Sequence, residues 1–339
     1  MDTLLNQLDS VKNFLRTPKR IVITAHANPD GDALGSSLGL YHYLKTLGHQ
    51  LLIAIPTELP DFLDWMPAYQ DIVTYDAQPA IIEKALREAE LIFVLDYSGL
   101  GRIQDMAEPL ANSPAYKIMI DHHLAPESFC QTALWRTSAS STCELMYDFF
   151  ELLDVLDKVP LQAWECIYVG ILTDTGGFKH ATSPRLFRVV SNILERGVDN
   201  NLINNLVFNA YSFKRFKLLI FCISQRLQLL EELNVGIIAV DKKDHEEWDI
   251  KRGDLEGVVN FILQIKKLKV AVLITERDRG AKLSLRSKGN FSVQEICNRY
   301  FNGGGHFNAS GGSSTEPFGV VLYQVKNLFE TVYKSQLTE

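Results

Sequence analysis

Six side chains suited to holding a divalent cation sit at or just beyond apolar stretches in the N-terminal part of the chain. His26, Asp30 and Asp32 fall together in HANPDGDALGS, His26 to Ser36, where Pro29 and Gly31 predict a tight, non-helical path. Imidazole and carboxylate are ligands that Mn²⁺ accepts, and side chains at alternate loop positions can face two neighbouring ions. Asn and Asp beside Pro and Gly also build ordinary turns, so this segment alone does not decide. Asp96 follows LIFVL, and a carboxylate ending so apolar a run needs a partner; a helix cap is the other reading. Asp121, His122 and His123 follow KIMI as three consecutive ionisable groups, which beside a buried strand end reads as ligands or acid/base groups. Asp174, in ILTDTGGF, comes after a helical stretch, where the helix dipole disfavours a carboxylate unless a cation is near. His42, His49, His180 and His245 lack such company and read as surface or core residues.

Positioning these groups requires a scaffold, and the apolar pattern supplies one. Short runs at Ile21 to Ala25, Leu51 to Ile55, Leu91 to Leu95 and Ile118 to Ile120 alternate with helical patterns, the signature of an α/β fold with a parallel sheet flanked by helices. Three runs lead straight into His26, Asp96 and Asp121, and ligands of open α/β sheets bind beyond the carboxyl ends of the strands. Helices are expected at Ala33 to Leu47, with Gly48 as C-terminal cap, at Leu161 to Leu172, and between Ser183 and Gly197.

At 339 residues the chain exceeds what one core holds well, so two domains are expected. The boundaries are read as 1–198 for the metal-binding domain, 199–232 for an Asn-rich linker and a connecting helix over Phe213 to Leu233, and 233–339 for a smaller mixed α/β domain. That second domain opens with strands at Val235 to Val240 and Val270 to Thr275. Its SLRSKGN segment offers Ser284, Arg286 and Ser287 as donors to a phosphate or a base edge. Gly303, Gly304 and Gly305 with His306 resemble an anion-binding backbone loop, followed by Asn308; a glycine triplet alone is more often a plain loop.

Charge narrows the partners. A formal net charge of −7 argues against a groove that grips long nucleic acid with clustered Lys and Arg, so an anionic substrate must be short and helped by metal. Five scattered cysteines indicate neither a disulfide framework nor a zinc site. The amphipathic start MDTLLNQLDSVKNFL carries acidic residues where a secretory signal is expected to be basic, and no apolar run reaches membrane-spanning length, so a cytoplasmic location is expected.

HANPDGDALGS, VLDYSG, DHH and TDTGGF, in this order, resemble the four motifs of the DHH phosphoesterase family, and GGGHFNASGG resembles the closing motif of its DHH-associated domain. The resemblance covers most of the chain and is nearest to the oligoribonuclease and 3'-phosphoadenosine 5'-phosphate phosphatase group. It implies two divalent cations, Mn²⁺ preferred, with Mg²⁺ or Co²⁺ as alternatives. His26 and Asp30 would hold the first, Asp32, His122 and Asp174 the second, and Asp96 both. Asp121 would orient a neighbouring imidazole and His123 would face the substrate phosphate. Substrate contacts would come from Ser284, Arg286, Ser287, Gly304, Gly305, His306 and Asn308. The implied substrates are very short RNA and nucleoside 3',5'-bisphosphates, cleaved by hydroxide between paired cations roughly 3.5 to 4 Å apart. Exopolyphosphatase activity, or hydrolysis of linearised cyclic dinucleotides, is the rival enzymatic reading, and a nucleotide-binding regulator the non-enzymatic one. A homodimer is compatible with all of them. Ser310 departs from the family pattern, which more usually has Gly or a small apolar residue there.

Overall fold

Runs of Val, Ile, Leu and Phe that are apolar at every position, rather than at alternate ones, belong to strands covered on both faces. In the computed structural model, which describes residues 4–209, 212–251 and 253–338, such runs form a six-stranded, wholly parallel sheet. The strands are β1 (Arg20–Thr24), β2 (Gln50–Ile55), β3 (Ile72–Thr74), β4 (Leu91–Leu95), β5 (Tyr116–Asp121) and β6 (Thr132–Trp135), in spatial order β3-β2-β1-β4-β5-β6. Alternate residues feed separate cores: Ile21, Ile23, Phe93 and Leu95 pack on one face, and Val22, Ile92 and Val94 on the other. The order reverses between β1 and β4, so the connections leaving these two strands run to opposite sides and open a crevice at their carboxyl ends. His26 lies just beyond β1 and Asp96 immediately after β4.

The helix Gly31–Thr46 starts earlier than its sequence predicts. Asp30 caps it, accepting from Asp32 N and Ala33 N at 3.0 Å each, so Asp32 stands in a first helical turn and not in an irregular loop. This helix packs tightly against the helix Leu161–Asp174 through Gly31, Gly35 and Gly39. A Cβ at Gly35 would stand 2.5 Å from the Cys166 carbonyl oxygen, and one at Gly31 would collide with Thr173. A third helix, Thr142–Leu153, points its N-terminus at Asp32.

The chain divides into two compact units, Met1–Ala210 and Tyr211–Glu339. The first three residues of the amphipathic N-terminus, and positions 210 and 211 of the expected linker, lie outside the described residues. Part of that linker is helical: Asn200–Phe208 is capped by Asp199 and buries Ile203 in the core of the first unit. Burial and the cap outweigh the weak helix preference of Asn.

The second unit is built on a mixed sheet of β7 (Leu227–Leu230), β8 (Val235–Val240), β9 (Val270–Glu276), β10 (Ala281–Ser287), β11 (Gly304–His306) and β12 (Ala309–Ser314), ordered β11-β12-β10-β9-β8-β7. The helix predicted over Phe213 to Leu233 is shorter. It ends at Phe221, runs through a π-turn at Cys222–Arg226, and becomes β7, which pairs antiparallel with β8. Pairing with a neighbouring strand overrides a helical hydrophobic pattern. The glycine triplet is likewise not a free loop, because Gly304 and Gly305 form a hairpin strand with β12. A Cβ at Gly303 would stand 2.0 Å from the Gly311 carbonyl oxygen, and Gly305 has φ +136°, so these glycines permit close strand approach. Ser310, which departs from the family pattern, donates its hydroxyl to the His306 carbonyl at 2.7 Å and closes the hairpin. Among the described residues all five cysteines are free, and no helix is long and apolar enough to cross a membrane.

Candidate metal centre

The parallel sheet delivers imidazoles and carboxylates to one crevice. His26 holds Nδ1 against the Ala27 carbonyl at 2.9 Å, which leaves Nε2 facing Asp96 Oδ2 at 3.3 Å and Asp30 Oδ2 at 3.8 Å. His122 holds Nδ1 near the Ala139 carbonyl at 3.3 Å, and its Nε2 faces Asp174 Oδ2 at 3.4 Å, Asp96 Oδ1 at 3.6 Å and Asp32 Oδ2 at 3.7 Å. The six residues thus form two groups, His26–Asp30–Asp96 and Asp32–His122–Asp174, each with its ligand atoms within 4.8 Å of one another. Asp96 turns one oxygen to each group.

Chemistry of the donors decides what fits there. A carbonyl oxygen only accepts, so a neutral ring bonded to it carries its proton on Nδ1 and presents a lone pair at Nε2. In both histidines that lone pair faces carboxylate oxygens, an arrangement of acceptor against acceptor once those carboxyls are ionised, which a cation between them would satisfy. Burial, ahead of all other causes, lowers His26 to about 4, and burial also lowers His122, so both rings are neutral near pH 7. Burial, followed by the charges of Asp32, Asp30, Asp174 and Asp121, raises Asp96 well above the usual carboxylate range, and burial raises Asp32 as well. Two donors each about 2.1 Å from a shared Mg²⁺-sized cation stand roughly 3 Å apart at right angles and about 4.2 Å apart in line. The spacings from 3.3 to 3.8 Å fall in that interval.

Backbone conformation aims the shared carboxylate. Asp96 has φ +62°, a left-handed geometry that Asp tolerates better than most residues, and it turns the chain sharply at the end of β4. Asp174 is the last residue of its helix and faces His122 despite the negative end of the helix dipole. Asp121, fully buried, accepts from His123 Nδ1 at 2.8 Å and from the His123 N–H at 3.1 Å. Burial pushes its carboxyl up, and the bonds from His123 outweigh that and hold it below its ordinary value. Asp121 therefore fixes the orientation of the His123 ring.

Sequence reasoning passed over three contributors. The N–H groups of Thr142 and Cys143 bind both oxygens of Asp32, the Thr142 hydroxyl binds Asp96, and exposed Arg102 places its charge close enough to help keep His26 neutral. A Ser-Thr pair opening an apolar helix was the only trace of the first two, and it reads as a plain cap.

In the second unit, strand register sorts the expected substrate contacts. His306 is opposite Ala309, which is opposite Arg286; Gly304 is opposite Gly311, which is opposite Ser284. Directly paired residues share a sheet face, so Ser284, Arg286, Gly304 and His306 share one, with only Ala309 and Gly311 between them. Gly305 and Ser287 belong to the other face. Ser287 is buried, donates to the Phe291 carbonyl at 2.6 Å and accepts from Asn308 Nδ2 at 2.8 Å; Asn308 also donates to the Gly289 carbonyl at 3.0 Å. These two residues tie the hairpin tip to the loop after β10.

Residues 20–171 match the DHH family, N-terminal domain, and residues 232–334 match the DHHA1 domain. The bifunctional oligoribonuclease and PAP phosphatase NrnA of Thermus thermophilus is 32% identical over 294 residues, 86% of this chain and 83% of that protein. A crystal structure of an exopolyphosphatase-related protein from Bacteroides fragilis is 36% identical and covers 99% of this chain and 98% of its own, with a TM-score of 0.93. An exonuclease RecJ bound to manganese shares the fold at 16% identity and a TM-score of 0.53, covering 96% of this chain and 94% of that one. The chain belongs to the DHH family of phosphoesterases and carries a DHHA1 domain after its DHH domain.

Proposed function

We propose that this phosphoesterase hydrolyses very short oligoribonucleotides and nucleoside 3',5'-bisphosphates to mononucleotides, in the cytoplasm, with two divalent cations, Mn²⁺ foremost. The observation that carries the reading is the pair of neutral imidazoles whose lone pairs meet a shared, buried carboxylate. In this reading His26, Asp30 and Asp96 would hold one cation, and Asp32, His122 and Asp174, again with Asp96, would hold the other. Bound there, such cations lower the pKa of an attacking water and take up charge on the phosphoryl oxygens.

The remaining work belongs to side chains. Asp121 accepts from His123 Nδ1, and a ring that also carries a proton on Nε2 would donate it to a substrate phosphate oxygen or to the leaving oxygen. Arg286, Ser284 and His306, on their shared sheet face, are the donors assigned to the rest of the nucleotide, with Gly304 flooring that face. Gly305, Ser287 and Asn308 shape the hairpin that carries it. A net charge of −7 fits a substrate with few phosphates. NrnA of Thermus thermophilus, described as an oligoribonuclease and PAP phosphatase, supports the substrate class.

A second reading, release of phosphate from polyphosphate, is favoured by the description of the Bacteroides fragilis protein as exopolyphosphatase-related. Purified protein with Mn²⁺ should be offered an RNA dinucleotide, a nucleoside bisphosphate, a linear dinucleotide with a 5'-phosphate, and polyphosphate side by side. Cleavage of the first two is expected. If both stay intact the proposal fails, and turnover of polyphosphate alone would establish the second reading. Gel filtration of the same preparation decides between monomer and homodimer.

A further inference from the structure

Thr142 is the first residue of the helix Thr142–Leu153, directly behind its Ser141 cap. Its backbone N–H donates to Asp32 Oδ2 at 2.6 Å, and the neighbouring Cys143 N–H donates to Asp32 Oδ1 at 2.9 Å. Its hydroxyl reaches the other group and donates to Asp96 Oδ1 at 2.9 Å. Solvent does not reach the residue, whose exposure is 0%, so it acts through these carboxylates and not on substrate.

Asp96 needs such a contact. The torsion that swings a carboxylate about its own axis is soft, and packing alone fixes it poorly. One rotation only puts Oδ2 at 3.3 Å from His26 Nε2 while Oδ1 stands 3.6 Å from His122 Nε2. The donor that selects it must itself be held. Ser141 Oγ accepts from Glu144 N at 3.0 Å, and Glu144 returns a carboxylate oxygen to Ser140 N at 2.7 Å. Arg136 then pairs with Asp148 on the same helix at 2.7 Å. The start of the helix is braced on both sides of Thr142.

We infer that Thr142 is a positioning residue: through its hydroxyl on Asp96 and its N–H on Asp32 it sets the orientation of the two cation-holding groups relative to each other. Asp32 and Asp96 belong to different elements, and Thr142 is where a third element locks them together. The inference rests on the two-cation reading above, which the unaltered chain tests by itself.

Metal-free protein titrated with Mn²⁺, followed by electron paramagnetic resonance of free Mn²⁺, should take up two equivalents; fewer would overturn the two-cation reading whatever Thr142 does. Thr142→Val keeps the side-chain shape and removes the donor, and Thr142→Ser keeps the donor. The Val variant should lose about 10- to 100-fold in affinity for at least one equivalent, the range found when a ligand's hydrogen-bond partner is removed. Its kcat on an RNA dinucleotide should fall while KM holds, and the Ser variant should behave like the unaltered chain in both assays. Thr142→Ala serves the same comparison should Val fail to fold. Wild-type Mn²⁺ affinity in the Val and Ala variants, or equal damage in Ser and Val, would assign Thr142 to packing and overturn the inference.

Discussion

The crevice of the first unit and one sheet face of the second solve different problems with similar residue types. In the crevice, His26, Asp32, Asp96, Asp121 and His122 are buried and each is held by backbone or side-chain partners, so their geometry exists before anything binds. On the sheet face, Ser284, Arg286 and His306 are half-buried around a floor of Ala309 and Gly311. Electrostatic stabilisation of a reacting group depends on preorganised charge, whereas recognition tolerates adjustable donors. Changes in the first unit should therefore act on turnover and cation affinity, and changes in the second on substrate affinity.

Removing the shared carboxylate should break this contrast most severely. Asp96→Ala takes a ligand from both groups, and cations contribute several kcal/mol to such reactions, so turnover should fall at least about 10³-fold. Retention of full turnover would refute the bridging assignment. Asp121→Asn comes next. It leaves His26, Asp30, Asp32, Asp96, His122 and Asp174 in place and replaces the carboxylate behind the His123 ring by a neutral amide that can bond either tautomer, and loss of a positioned acid/base group costs about 10²- to 10⁴-fold, to be seen in kcat. Arg286→Ala should move KM instead, by roughly 10- to 100-fold, the worth of a charge-assisted hydrogen bond of about 1.5–3 kcal/mol, with kcat held. A drop in its kcat alone would erase the distinction between the two regions.

The smallest effect is on pH. Protons and cations compete for the same atoms. The Asp96 and Asp32 carboxyls are raised, so in the metal-free protein they keep protons at a pH where ordinary carboxyls have lost them, and a cation must displace these. His26, at about 4, is already neutral and adds no competition at higher pH. Mn²⁺ affinity should rise with pH by up to about tenfold per unit for each proton released, and calorimetry in buffers of different ionisation enthalpy would register that release. A flat profile with no proton release would contradict the raised carboxyls.

What was legible in the sequence followed from local pattern. His26, Asp96 and Asp121 stood out because each follows a run so apolar that an ionisable group there is conspicuous, and parallel strands place such groups at one edge. Long-range pairing was not legible. Nothing local says that β1 lies beside β4, or that LQLLEEL leaves its helical periodicity to form β7 through the left-handed turn at Asn234, φ +57°. GGGH looked like a loop because glycine's letters do not distinguish conformational freedom from close strand approach. Ser287 and Asn308 looked like ligand donors for the same reason that they make good internal ones.

The glycines of HANPDGDALGS, with Gly39 beyond them, set how closely two helices approach. Gly31, Gly35 and Gly39 let their helix nest against the helix that ends in Asp174, while Asp32 sits at the near end of the first. The gap between Asp32 and Asp174 is thus gauged by missing methyl groups rather than by anything in the crevice itself. A side chain at Gly35 would meet the Cys166 backbone and push the helices apart, and the distance between the two carboxylates would grow with a change made at a residue that is neither of them.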